Sequence, residues 1–179
     1  EIYIRNCYFK HLPKEIFKNI NYVVDIGANR GAFSSLMTST AKFILSVEAQ
    51  KEFKPIIENN LKRNKYTNYS LEIGFVGSGG ELSNYNIQSF TIEDLLDKNN
   101  IEQVDLIKMD IEGSEFALFD EPSWLKRVGA ICMEVHPEYG SPTKILKVLK
   151  KYEFEFNVAD ENLILLDNPD FANFIYAWR

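Results

Sequence analysis

Hydrophobic positions along the chain follow two periods, a strand-like one in short apolar runs and a helix-like one in the segments between them. The runs Tyr22–Ile26, Phe43–Val47, Val104–Met109 and Ala130–Val135 are short and rich in β-branched residues, the pattern of strands buried on both faces. Asn68–Ile73 is a further strand. Between these runs, Ala32–Met37, Glu52–Leu61, Glu115–Phe119 and Thr143–Lys151 carry helical spacing, and Pro122 is placed to stop the third. Ser89–Leu96 is predicted as a turn entering a helix, because Thr91 and Asp94 have capping-box spacing. Leu12, Ile16 and Ile20 recur every fourth residue behind Pro13 and predict a short helix in a leader, residues 1–20, packed on the domain. Clustered glycines predict turn or loop over 75–80. In the tail, Glu153–Val158, Leu163–Leu166 and Phe174–Trp178 are strand candidates with open pairing. Strands alternating with helices predict an α/β fold: a doubly wound, mostly parallel sheet with helices on both faces, forming one domain over residues 21–179.

Length and composition narrow the class. A chain of 179 residues suits a single domain. No apolar run approaches the roughly 20 residues that span a bilayer, and residues 1–10 mix charge with aromatics unlike a signal peptide. Two cysteines far apart, Cys7 and Cys132, form no disulfide framework, so a cytoplasmic setting is expected. The net charge of −6 argues against a nucleic-acid partner, which draws affinity from lysines and arginines on phosphates. The basic stretch Lys51–Lys65 also holds Glu52 and Glu58 and reads as a solvated helix face. No feature specifies an oligomeric state.

The chemistry-bearing residues fall at strand ends, where open α/β sheets bind ligands. In Asp25-Ile-Gly-Ala-Asn-Arg-Gly31, Gly27 allows a sharp turn and close approach, and Gly31 a close helix start. The spacing lacks the three glycines of a dinucleotide fingerprint. Asp25 would repel a pyrophosphate but suits the ammonium of an amino acid, or else caps local amides. Glu48 closes the second strand 21 residues beyond Gly27, where a carboxylate can accept both hydroxyls of a ribose. The pair suggests a nucleoside joined to an amino acid.

Val24-Asp-Ile-Gly-Ala-Asn-Arg-Gly-Ala-Phe33, Glu48, Thr91-Ile-Glu-Asp-Leu95, Met133-Glu-Val-His136 and above all Asp105-Leu-Ile-Lys-Met-Asp-Ile-Glu-Gly-Ser-Glu-Phe116 resemble the FkbM-type methyltransferases, over roughly Tyr22 to Pro137. The resemblance implies a class I (Rossmann-like) methyltransferase fold, S-adenosyl-L-methionine as cofactor, and transfer of its methyl to a hydroxyl oxygen of a small molecule or sugar. It implies that Asp25, Gly27, Asn29 and Gly31 surround the methionine moiety, that Glu48 holds the ribose, and that Ile73, Gly74 and Phe75 border the adenine. The chain departs from the family pattern at Ala49, where proline is usual, and in the glycine-rich stretch from Gly74 to Gly80.

Methyl transfer needs alignment of three atoms and, for a hydroxyl, removal of a proton. Lys108, Asp110, Glu112 and His136 are the expected catalytic residues: Asp110 and Glu112 border the reaction centre, and one of them or His136 takes the proton. His136 alternatively serves structurally beside Pro137, with Glu134 either orienting it or pairing elsewhere. Asp110, Glu112, Glu134 and His136 offer hard ligands, but no compact spacing defines a metal site, and no metal is expected. Three other readings remain: a dinucleotide oxidoreductase, a nucleic-acid methyltransferase, and a non-catalytic binding protein on the same fold. The aromatic-bearing proline-proline motif of base methyltransferases does not follow the fourth strand.

Overall fold

The computed structural model describes residues 6–77 and 88–179. Strands and helices alternate as β1 (Tyr22–Ile26), α1 (Ala32–Met37), β2 (Phe43–Glu48), α2 (Lys54–Arg63), β3 (Tyr69–Ile73), β4 (Phe75–Val76), β5 (Ser89–Phe90), α3 (Ile92–Lys98), β6 (Val104–Met109), α4 (Glu115–Leu118), β7 (Val128–Glu134), α5 (Pro142–Lys151), β8 (Glu155–Ala159) and β9 (Phe174–Trp178). The main sheet runs β3-β2-β1-β6-β7-β9-β8. Its pairs from β3 to β7 are parallel, and β9 lies antiparallel to both β7 and β8. From β1 the chain first builds outward through β2 and β3, then returns to place β6 on the opposite edge of β1. The crevice beyond the carboxyl ends of β1 and β6 is therefore the switch point where such sheets take ligands.

Strand parity divides the core. Val24, Ile26, Leu45, Val47, Ile107, Met109, Ile131 and Met133 face one layer, packed with Ile92, Leu95 and Leu96 of α3 and Ile145 and Leu149 of α5. Val23, Ile44, Leu106, Ala130 and Cys132 face the other, under Phe33 and Met37 of α1 and Cys7, Tyr8 and Leu12 of the leader. On this second face the register aligns Ser46, Asp25, Lys108, Cys132, Tyr176 and Asn157 in one row across six strands. The leader is tied down over that row: Tyr176 Oη donates to Cys7 O (2.5 Å), and Asn157 Nδ2 to His11 O (3.1 Å).

The short helix of the leader is a 3-10 helix over Lys14–Lys18, and none of its residues is buried. The apolar spacing arises because Leu12 and Ile20 flank that turn and are themselves buried. The segment after β3 is not all loop: Phe75 and Val76 are buried and pair in parallel with Ser89 and Phe90. Gly79 and Gly80, and the loop residues from Ser78 to Ile87, lie outside the described residues. Leu163–Leu166 contributes one bridge, Leu165 to Ala159, and no strand. The capping box of Thr91 and Asp94 is present at the start of α3.

Candidate active site

Gly27 ends β1 with a φ of +76°, a conformation that favours glycine, and a Cβ there would meet Asp110 O at 1.8 Å. The backbone of the first turn therefore lies directly against the residue that follows β6. Gly31 serves differently: at the N-cap of α1 it provides no side chain, and it packs against Ile57 of α2. Asp25 supplies the missing cap from below. Its Oδ2 accepts the Ser34 amide (3.2 Å) and the Ser34 hydroxyl (2.6 Å), while Oδ1 lies 3.4 Å from Lys108 Nζ.

Two cavities open beyond these strand ends. A narrow cleft of about 90 Å³ is lined by Gly27, Asn29, Glu48, Gly74, Phe75, Val76, Asp110 and Glu112, among others. A roomier one, about 680 Å³, is walled on the leader side by Tyr8, Lys108, Asp110, Glu134, Asn173 and Phe174. Gly27, Asn29 and Asp110 belong to both.

Glu48 is almost wholly buried, and each of its carboxylate oxygens accepts one backbone amide, from Asn29 (2.6 Å) and Gln50 (2.7 Å). Each oxygen keeps a lone pair for a further donor, so the group is a fixed acceptor suited to a vicinal diol. Burial raises its pKa, against the lowering effect of the two amides. Asp25 and Gly31 line neither cavity, nor does Ile73. Thus the sequence-expected cofactor set divides: Gly27, Asn29, Glu48, Gly74 and Phe75 face the cleft, whereas Asp25, Gly31 and Ile73 hold its walls.

The expected catalytic residues also divide. Lys108 is buried; its Nζ donates to Gly27 O (2.6 Å), lies 3.9 Å from Asp110 Oδ2 and stacks over the Tyr8 ring at 5.1 Å. Burial alone would lower its pKa, but Asp25 and Asp110 outweigh that and raise it, so Lys108 is a fixed ammonium rather than a proton acceptor. His136 is held between two carboxylates, with Nδ1 3.1 Å from Glu115 Oε1 and Nε2 3.3 Å from Glu112 Oε2. Its hydrogen bond to Glu115, which outweighs the opposing effect of burial, raises its pKa to about 9, leaving a protonated imidazolium at neutral pH. The carboxylate that orients His136 is Glu115 rather than Glu134. Glu115, fully buried, accepts both the His136 amide (2.8 Å) and the Gly113 amide (2.9 Å).

Asp110, Glu112 and His136 bring one ligand-type atom each within 4.8 Å of one another. Because Glu112 and Glu115 already engage both ring nitrogens, this is an ion-pair cluster in the structure. Glu134, by contrast, faces the second cavity, where burial and then the charge of Asp110 push its pKa up to about 7. Tyr8 donates its hydroxyl to Asp110 Oδ2 (2.8 Å) and stands 3.5 Å from Glu134 Oε2. Tyr8 and Glu115 were missing from the sequence-derived site. Glu115 lies within the motif that carries Asp110 and Glu112, but Tyr8 sits 102 residues away from Asp110 and has no local signature.

The residues fit an S-adenosyl nucleoside. The fixed Glu48 carboxylate has lone pairs for a ribose diol, the turn from Gly27 to Gly31 lacks the full glycine pattern of a pyrophosphate cradle, and the carboxylates of Asp110, Glu112 and Glu134 give surroundings that would favour a sulfonium cation. The strand order, with its single antiparallel strand inserted between β7 and β8, is that of the Rossmann-like methyltransferases. Residues 70–156, just under half of the chain, match the family model described as the methyltransferase FkbM domain.

Solved structures agree on the fold. Methyltransferase FkbM from Methylobacillus flagellatus matches with a TM-score of 0.62 at 16% identity, covering 89% of this chain and 44% of that one. A Streptococcus mutans protein solved in complex with SAH matches at 0.57 and 11% identity, covering 91% of this chain and 90% of that one. An rRNA methylase from Streptococcus thermophilus matches at 0.57 and 13%, covering 91% and 88%. No curated protein matches the chain. No helix among the described residues is long and apolar enough to cross a membrane.

Proposed function

We propose that the protein transfers a methyl group from S-adenosylmethionine to a hydroxyl oxygen of a small molecule or sugar. The observation that carries this reading is that Asp110 is shared by the two cavities, so a ligand in the Glu48 cleft and a second molecule in the leader-side cavity meet at that residue. The cofactor, when bound, supplies an activated methyl group. The protein's own part is to bind, orient and take up a proton. Glu48 accepts hydrogen bonds from a ribose. Lys108 locks Gly27 and Asp110 in mutual register and neutralises Asp25 beneath them. The carboxylate wall of the second cavity receives the hydroxyl proton, while Phe174 and Tyr8 limit access of water.

The acidic wall also bears on the acceptor. Asp110 and Glu134 accept hydrogen bonds from hydroxyl groups and repel phosphates, which disfavours the nucleic-acid alternative. The reading is tested by S-adenosylhomocysteine release from the full chain. Methyl glycosides of glucose, mannose and rhamnose and two simple phenols serve as hydroxyl acceptors, with total RNA as the competing class. Release with at least one hydroxyl compound and none with RNA is expected. Release with RNA alone would overturn the hydroxyl assignment. Release with neither class, from folded protein that binds the homocysteine product, would favour the non-catalytic alternative.

A further inference from the structure

We propose that Glu134, positioned by Tyr8 of the leader, is the group that faces the reacting methyl and takes the acceptor's proton, an assignment that rests on the methyltransferase reading above. The starting point is parity. Lys108 and Asp110 project from β6 and its end to the leader face, and Glu134 projects to that same face from the end of β7, because Met109 pairs with Met133 in parallel register. Glu134 therefore stands beside Asp110 in the next row above the Asp25–Lys108 pair. Both line the larger cavity.

Asp110 is already engaged. Its Oδ2 accepts the Tyr8 hydroxyl at 2.8 Å and lies 3.9 Å from the Lys108 ammonium. Glu134 has no such fixed donor: among the described residues its hydrogen-bond contact is the Tyr8 oxygen at 3.5 Å, which leaves carboxylate lone pairs open to the cavity. His136 is already protonated between Glu112 and Glu115. Of Asp110, His136 and Glu134, Glu134 is the group whose carboxylate faces the larger cavity without a close donor.

Tyr8 gives the pair a direction. Its single proton goes to Asp110, so its oxygen is free to accept from Glu134 once Glu134 is protonated, forming a chain from Glu134 through Tyr8 to Asp110. The ring is held edge-on to Phe33 (5.8 Å) and Phe174 (6.4 Å), and the Lys108 ammonium lies against its face. In the step itself the acceptor's O–H bond breaks and its proton moves to a Glu134 carboxylate oxygen. The acceptor oxygen forms its bond to the methyl carbon, and the electron pair of the broken carbon–sulfur bond remains on sulfur. Charge is balanced: a sulfonium and a carboxylate become a neutral thioether and a neutral acid. The groups facing Glu134 are Asp110 and Glu112, which repel its charge, Lys108 and His136, which favour it, and Tyr8.

Sinefungin, which carries an ammonium in place of the cofactor's methyl sulfonium, is a probe of this arrangement that needs no acceptor. Calorimetric titration of the full chain with sinefungin and with S-adenosylhomocysteine at pH 8 should show at least tenfold tighter binding of sinefungin. Glu134→Gln should erase that preference and leave homocysteine-product affinity within threefold, whereas His136→Gln should retain the preference. The wild-type preference should develop as pH rises through about 7, where Glu134 ionises. Tyr8→Phe, which keeps the ring, should move that midpoint to lower pH by removing the acceptor for protonated Glu134; a merely structural tyrosine would leave it unmoved. A preference that survives Glu134→Gln would overturn the proposal. Equal weakening of both ligands would also overturn it, by assigning Glu134 to the amino-acid end of the nucleoside. Failure of folded wild-type protein to bind either ligand would instead overturn the underlying cofactor reading.

Discussion

Glu115 and His136 meet because the turn after β6 and the end of β7 stop side by side, and the buried carboxylate then has two amides and an imidazole to satisfy. The imidazolium so formed is a stability element. Its folded pKa of about 9 stands above the ordinary 6.5, so its contribution is fully present below pH 6.5 and is lost as pH rises through about 9. Comparing urea unfolding of the wild type with His136→Gln should show an advantage on the order of 3 kcal/mol at pH 6 that disappears by about pH 10. An advantage independent of pH would contradict the ion-pair assignment. At this scale the sequence was informative where position alone determined the environment: Glu48 closes a strand, and strand ends of this fold converge on the crevice. It did not reveal the environment of His136, because the buried partner Glu115 meets it only when β7 and the turn before α4 are brought together.

The strands and helices were legible because each has one strong local signal. β1 and α1 begin and end where the hydrophobic pattern placed them, and the Thr91 cap fixed the entry to α3. Less legible were the leader and the segment after β3, whose conformations depend on distant partners. Leu12 and Ile20 bury against the sheet without an amphipathic helix between them, and Phe75 finds Gln88 and Ser89 across the chain. The polar row of β2, β1, β6 and β7 shows how elements are coupled. Asp25 in β1 and Lys108 in β6 are register partners and nearly inaccessible, so either charge alone would be stranded. Lys108→Met is expected to cost about 3–5 kcal/mol, read as a lower denaturant midpoint, since removing one partner leaves an uncompensated buried charge. Asp25→Asn with Lys108→Met together should recover part of that loss. A single variant as stable as the wild type would contradict the coupling.

For the molecule as a whole, the switch in strand order creates the crevice, the first turn and Glu48 shape one cavity, and the leader folds back to wall the other. Residues 70–156 supply the family motif, yet Asp25, Gly27, Glu48 and Tyr8 lie before that segment. On the proposed assignment the site draws on both parts of the chain, and cofactor binding is expected to depend on residues that the family match does not cover. The most direct test is calorimetric titration of the intact chain with S-adenosylhomocysteine, with NAD as the competing ligand and Glu48→Ala as the variant. Glu48 is chosen because it faces the cleft, whereas Asp25 holds the core. Micromolar or tighter binding of the homocysteine compound, at least tenfold weaker in Glu48→Ala and undetectable for NAD, is the expected result. Folded protein that fails to bind it, or that binds NAD equally well, would contradict the assignment of this crevice to S-adenosylmethionine.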